Sequence, residues 1–201
     1  MNKIFLPQSR ILKPYKQGDL DPLCGLYATI NAIRLAIYEE KKLTKRHARE
    51  LMEAGFNYFG GRKGKLLSVC THGMGKSRRL KLIQHLFEYV LEEWGVQLEL
   101  ISFVQIEEES LKKGFYTFLE TVLTSGNPVT VDLSGEHEHF TVISGLTSTY
   151  IELFDSDGLK RLARRSVRIG FGKTSIRHSL NPIGIIGMRS APPSLRLSTL
   201  F

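Results

Sequence analysis

The spacing of apolar residues divides the chain into a helical first part and a strand-rich second part. Before about residue 125, apolar residues recur every three or four positions, which is the period of a helix with one buried face. This pattern predicts helices over residues 24–40, 45–54, 77–94 and 107–123, the second capped by Thr44 and ended by Gly55. The glycine- and lysine-rich segment before the third helix is predicted to be a loop with a short strand at 66–69.

Short apolar runs separated by turn residues dominate from residue 128 onward. Together with one alternating run after the third helix, they predict strands over residues 96–101, 128–133, 139–146, 150–155, 166–171 and 182–188. Helices followed by an antiparallel sheet define an α+β fold. The length of 201 residues fits one domain, which we place at residues 1–190, followed by a mobile tail at 191–201.

Composition narrows the setting in which the protein works. Two cysteines, Cys24 and Cys70, are too few for a disulfide framework, so a reducing compartment is expected. The N-terminus lacks the apolar core of a secretory signal. No apolar run approaches the roughly 20 residues that cross a membrane. We therefore expect a cytoplasmic protein with no membrane partner, while export by a route that needs no signal peptide stays open.

Positive charge is concentrated near the C-terminus. The net charge is +8, and residues 158–201 contain nine Lys and Arg residues but no Asp or Glu. A segment of one sign attracts anions through its summed field. Two interpretations stay open, a solvated basic face and a surface that recruits an acidic partner; a nucleic-acid partner is not expected.

Cys24 stands where a turn-rich segment meets the first predicted helix. Unpaired N–H groups and the helix dipole favour negative charge at the start of a helix, and the thiolate is the nucleophilic form of cysteine. The next residue, Gly25, leaves space for a substrate to approach. A buried structural cysteine is the alternative interpretation.

A histidine and an aspartate in the second part could complete a nucleophilic site with Cys24. His139 opens one predicted strand and Asp155 ends the next, so an antiparallel hairpin would bring the two side chains together. His137 is the alternative base, but His139 is the one followed directly by the aromatic and apolar strand. Asp157 is the alternative carboxylate, although it falls in the following turn.

Three segments resemble the Cys, His and Asp motifs of papain-like cysteine peptidases: QGDLDPLCGLYATINAI, HFTVISG and LFDSDG. The resemblance is nearest to the compact bacterial C39-like peptidases and covers residues 16–37 and 128–158. It implies a papain-like fold, a nucleophile at Cys24, a base at His139 and an orienting carboxylate at Asp155. It also implies an oxyanion-hole glutamine before the cysteine, for which Gln17 is the candidate.

The expected chemistry is acyl transfer through a thioester, without a cofactor and with a peptide or protein as substrate. A thiol peptidase or other amide hydrolase is the favoured function. Deamidases and transglutaminase-like effectors use the same centre, and a non-catalytic binding module with a basic anion-binding face could keep the same fold.

Two other motifs near the third predicted helix are incomplete. Gly75, Lys76 and Ser77 suggest a phosphate loop, but Cys70 occupies the position of its first glycine. Cys70 and His72 would be two metal ligands without a third or fourth. We therefore expect neither a nucleotide nor a metal, although this helix start could hold a simple anion.

Overall fold

The computed structural model describes residues 3–18, 21–60, 65–103, 111–136, 138–170 and 177–191. Six α-helices occur in this part of the chain: α1 (Pro7–Ile11), α2 (Cys24–Ala36), α3 (Lys45–Gly60), α4 (Lys65–His72), α5 (Lys76–Trp94) and α6 (Leu111–Thr124). Nine strands accompany them: β1 (Ile4–Phe5), β2 (Gln97–Ser102), β3 (Val129–Gly135), β4 (His139–Leu146), β5 (Tyr150–Leu153), β6 (Arg161–Ala163), β7 (Val167–Ile169), β8 (His178–Leu180) and β9 (Ile186–Ala191).

All nine strands belong to one sheet that is almost entirely antiparallel. Its main path runs β2-β9-β3-β4-β5-β6, and β1 pairs with the end of β4. The strand β8 pairs with the end of β3, and β7 adds a parallel pairing to β8. The α+β prediction is therefore confirmed.

Helix α2 packs against β3, β4 and β9, and α6 contacts β1, β3, β4 and β7. The apolar face predicted for the first helix is buried, with Leu26, Ile30 and Ile33 at 0–1% exposure. Helix α5 ends at Trp94 and is followed by Gly95, whose φ of +67° is the left-handed conformation that glycine adopts most easily. In the described ranges, no helix combines the length and apolar character needed to cross a membrane.

Two predictions in the helical part are wrong. The predicted strand at 66–69 belongs to α4, in which Val69 is buried and Leu67 is exposed. The predicted stop at Gly55 is absent, because α3 continues to Gly60. Gly55 instead permits close packing on α2, since a Cβ there would lie 2.8 Å from a methyl carbon of Leu26.

Other differences concern short elements and segment ends. The strand predicted from 182 begins at Ile186, because Pro182–Gly184 forms a 3-10 turn capped by the side chain of Asn181. The elements α1, β1, β6 and β8 were not predicted, since two to five residues carry too little periodicity. Residues 107–110 of the fourth predicted helix, residue 171 of the fifth predicted strand, and the predicted tail apart from Ala191 lie outside the described residues.

Candidate active site

Cys24 is the first residue of α2 and is half-buried. The preceding loop is organised by Asp21, whose carboxylate accepts hydrogen bonds from the backbone N–H groups of Gly18 (2.7 Å) and Leu23 (3.3 Å). Leu23 is the N-cap residue and makes no side-chain hydrogen bond to the helix. The first-turn N–H groups therefore favour negative charge close to the cysteine.

His139 is the first residue of β4, and its ring is held by a buried carboxylate. His139 Nε2 lies 2.7 Å from Asp155 Oδ2. The other carboxylate oxygen accepts hydrogen bonds from the N–H groups of Asp157 (2.8 Å) and Leu159 (3.0 Å). Asp155 follows β5, and a hydrogen bond from Phe154 N–H to the Val142 carbonyl brings it back alongside β4. Three donors thus fix the carboxylate and, through it, the imidazole.

The electrostatics of the site favour a cationic His139. Burial lowers the pKa of His139, but hydrogen bonds to Asp155 and Cys24 and the negative charges of both groups raise it to about 10. Burial raises the pKa of Asp155, yet the His139 ring and the Leu159 N–H hold it below its usual range. Because Nε2 is engaged by Asp155, Nδ1 is the ring nitrogen left for the hydrogen bond with Cys24. His139 is therefore a cation at neutral pH.

A cavity of about 440 Å³ reaches both Cys24 and His139. Its walls come from the facing ends of β3 and β4 and from the connection between α4 and α5, with Gly170 and Asn181 completing it. Met74 and Phe140 form the surface beside Gly25, where an added Cβ would lie only 3.1–3.2 Å from their side chains. Cys24 and His139 therefore line the same cavity.

The remaining predicted site residues occupy different places. Gln17 contacts the region of Asp155: its N–H donates to the Ser156 carbonyl (3.1 Å), and its Oε1 accepts from the Ser156 hydroxyl (3.2 Å). Its amide nitrogen approaches the Asp21 carbonyl at 3.5 Å. Gln17 does not line the cavity in the described part of the chain. The side chain of Asp157 is exposed, and His137 lies outside the described residues.

Three charged residues near the cavity were not predicted as a group. Lys76 and Asp132 line it and form an ion pair, with Nζ 3.0 Å from Oδ2. Arg79 is 1% exposed; its Nη2 donates to the Gly184 carbonyl (3.0 Å), and the guanidinium lies 4.6 Å from the centre of the Phe140 ring. Burial lowers the pKa of Arg79 to about 10, although the charges of Asp132 and Cys24 raise it, so Arg79 is a cation at neutral pH.

The helical period of α5 carried a signal for Arg79. The buried residues of this helix are Arg79, Leu82, Ile83, Leu86, Phe87 and Val90. Arg79 precedes Ile83 by four positions and therefore falls on the same face. An arginine on the core face of a helix can be found from sequence and suggests a buried charge with a specific role.

The Lys and Arg residues of the basic C-terminal segment lie in different environments. Arg177 forms an ion pair with Glu136, and Arg189 with Glu99. Arg164 is half-buried, 3.8 Å from the centre of the Tyr116 ring. Lys160, Arg161, Arg165 and Arg168 are exposed, whereas Lys173 and Arg196 lie outside the described residues. An acidic partner for this segment remains a prediction.

Comparison with known protein families and with curated proteins gave no match. Within the described ranges, no group of three or more His, Cys, Asp or Glu residues is placed to hold a metal ion.

Proposed function

We propose that the protein is a papain-like cysteine hydrolase that cleaves an amide bond of a peptide or protein. Cys24 is the nucleophile, His139 the general acid and base, and Asp155 the residue that orients the imidazole. The observation that carries this proposal is the single cavity shared by Cys24 and His139, with His139 held 2.7 Å from a buried carboxylate.

In the first half-reaction the Cys24 thiolate attacks the substrate carbonyl carbon, and the carbonyl oxygen becomes an oxyanion. The backbone N–H of Cys24 is the proposed first donor to that oxyanion. Gln17 is the proposed second donor, which requires its side chain to turn toward the cavity that it does not line in this structure. Among the described residues, the contact that its amide nitrogen would give up is the long 3.5 Å approach to the Asp21 carbonyl. His139 then gives its Nδ1 proton to the leaving amine, which leaves a thioester on Cys24.

In the second half-reaction water attacks the thioester, His139 takes the proton of that water, and the acid product leaves. Asp155 keeps Nε2–H in place through both halves and stabilises the imidazolium. A side-chain amide substrate would make the same centre a deamidase, and an amine in place of water would make it transglutaminase-like. The substrate and the acceptor thus distinguish these activities.

The first experiment compares the two cysteines of one molecule. Iodoacetamide labelling, followed by mass spectrometry, should modify Cys24 much faster than Cys70, and His139→Ala should slow the labelling of Cys24 alone. On a substrate found with a peptide library, Cys24→Ala should abolish turnover while Cys70→Ala retains it. The proposal fails if Cys24 reacts no faster than Cys70, or if His139→Ala leaves its rate unchanged in a folded protein.

A further inference from the structure

The end of the cavity formed by the start of α5 carries positive charge. Lys76 is the first residue of α5 and lines the cavity, and its side chain is 42% exposed. Its ammonium is held 3.0 Å from Asp132 Oδ2, and the Asp132 side chain is 10% exposed. An ammonium has three donors, so one carboxylate leaves it able to bind another. The ion pair therefore fixes Lys76 in place and leaves its ammonium able to bind a second carboxylate.

The surroundings of Lys76 add to this positive character. Helix α5 has 19 residues, is preceded by Gly75 without a side-chain cap, and has no acidic residue in its first turn. One turn further on, the buried Arg79 has a nitrogen, Nη1, without a hydrogen-bond partner in the described residues. Its charge acts on both Asp132 and Cys24, which line the cavity. Two cations and a helix N-terminus thus act electrostatically on one carboxylate, that of Asp132.

The other charged or titratable groups of the cavity lie on different walls. His139 and the exposed Glu138 belong to the β4 side, and His72 ends α4. The α5 end therefore has two cations, Lys76 and Arg79, for one carboxylate, whereas the β4 side has one cation, His139, for one carboxylate, Glu138. A ligand that carries one negative charge has a preferred orientation in such a field.

We propose that the α5 end of the cavity binds a carboxylate of the substrate through Lys76, so that the amide bond presented to Cys24 lies next to an acidic group. This inference rests on the proposed function, since it takes Cys24 as the reacting group. The substrate class is then a peptide or protein with a carboxylate beside the scissile amide, from an acidic side chain or from a chain end. Lys76 acts as a specificity-determining residue.

The test compares an anionic and a neutral reagent at the same sulfur. Iodoacetate and iodoacetamide both form a sulfur–carbon bond to Cys24 and release iodide, but only iodoacetate carries a carboxylate. The measured quantity is the ratio of the two rates at Cys24, read by mass spectrometry at neutral pH and low salt. Lys76→Met should lower the iodoacetate-to-iodoacetamide ratio about two- to fivefold, the effect expected of a partly exposed ion pair.

Two variants control this comparison. Lys76→Arg retains the charge and should keep the ratio close to that of the wild type. Lys81→Met removes the same charge from an exposed position of α5 that does not line the cavity, and should also leave the ratio unchanged. The ratio at Cys70 in each variant serves as an internal reference.

The outcomes separate this inference from the function on which it rests. If Cys24 reacts rapidly with both reagents but Lys76→Met leaves the ratio unchanged, the carboxylate site is wrong and the cysteine hydrolase stands. An equal fall in Lys81→Met also overturns the site, because it assigns the effect to the net charge. If Cys24 reacts with neither reagent, both proposals fall.

Protection experiments distinguish the two sources of the carboxylate. N-acetyl-glutamate α-amide carries only a side-chain carboxylate, N-acetyl-glutamine only a terminal one, and N-acetyl-glutamine α-amide neither. A charged compound should slow the reaction of Cys24 with iodoacetamide more than the neutral one does, and Lys76→Met should remove that difference. Whichever charged compound protects better identifies the source, whereas equal protection by all three contradicts the site.

Discussion

Replacing Asp155 by asparagine tests the centre of the proposed mechanism, because it exchanges one carboxylate oxygen for an NH₂ group with almost no change in volume. The carboxylate has divided tasks: Oδ2 faces His139 Nε2, and Oδ1 accepts the N–H groups of Asp157 and Leu159. An amide has one oxygen and one NH₂ group, so it can satisfy one side of this arrangement only. If its oxygen stays with the two backbone donors, its nitrogen faces Nε2–H, and two donors oppose each other.

The size of the effect follows from the interaction that is lost. A hydrogen bond to a charged group contributes about 1.5–3 kcal/mol, and 1.36 kcal/mol corresponds to a factor of ten. Asp155→Asn should therefore weaken the stabilisation of the His139 imidazolium and lower the alkylation rate of Cys24 at neutral pH by about 10- to 100-fold. His139→Ala removes the partner of the thiolate altogether and should lower the rate further.

The assay measures the rate of Cys24 modification by iodoacetamide between about pH 5 and about pH 9. The unfolding temperature of each variant is recorded to show that it is folded. In the wild type the pKa of His139 is raised to about 10, largely through Asp155, so the imidazolium persists across this range. In Asp155→Asn the His139 imidazolium should lose its proton at a lower pH than in the wild type. Asp157→Asn is the matched control, because only the backbone of Asp157 contacts Asp155. A folded Asp155→Asn protein with the wild-type rate and pH profile would refute the reasoning.

Three further predictions concern stability, and urea denaturation measures all three. Gly145→Ala should lower the free energy of unfolding by about 1–3 kcal/mol, because a Cβ at that position would lie 2.7 Å from Phe5 Cδ1. Gly60→Ala is the control and should cause no such loss, because an added Cβ would have no atom within 4 Å. Equal losses in the two variants would contradict the packing of β1. The stabilising contribution of His139 should be complete below its ordinary pKa of 6.5 and decline as the pH rises toward 10, since its folded-state pKa is raised. If the free energies of unfolding of the wild type and His139→Gln differ by a constant amount over this range, that result is inconsistent with the raised pKa. The pKa of Asp155 is lowered, so its contribution should be present above 3.8 and be lost as the pH falls further.

The long helices and central strands were predictable because each has a strong local signal. The helix that begins at Cys24 and the helix that ends before Gly95 occur where apolar spacing indicates them, although the first ends at Ala36 and not at residue 40 as predicted. Helix α4 was mistaken for a strand because Leu66, Leu67 and Val69 form a short apolar run, and such runs fit either structure. In the folded protein, packing against α3 favours the helical conformation of this segment.

The candidate site shows a similar division. The residue types and their order along the chain pointed to Cys24, His139 and Asp155, and the structure brings all three together. Sequence reasoning did not find the place of Gln17, whose contacts run to Ser156, 139 positions away in the chain. It also did not find that Asp132 and Lys76 would meet at the cavity.

The sequence by itself determined where the long helices and central strands form, which of their faces are apolar, and which residues are candidates for nucleophilic chemistry. These properties depend on neighbours within a few positions, where periodicity, turn residues and end residues act directly. The tertiary structure alone decided how α2 meets β4, that Arg79 is buried against Gly184, and that one cavity serves both Cys24 and His139. Those contacts join residues about 100 or more positions apart, so they arise from the packing of whole elements into one core rather than from any local pattern.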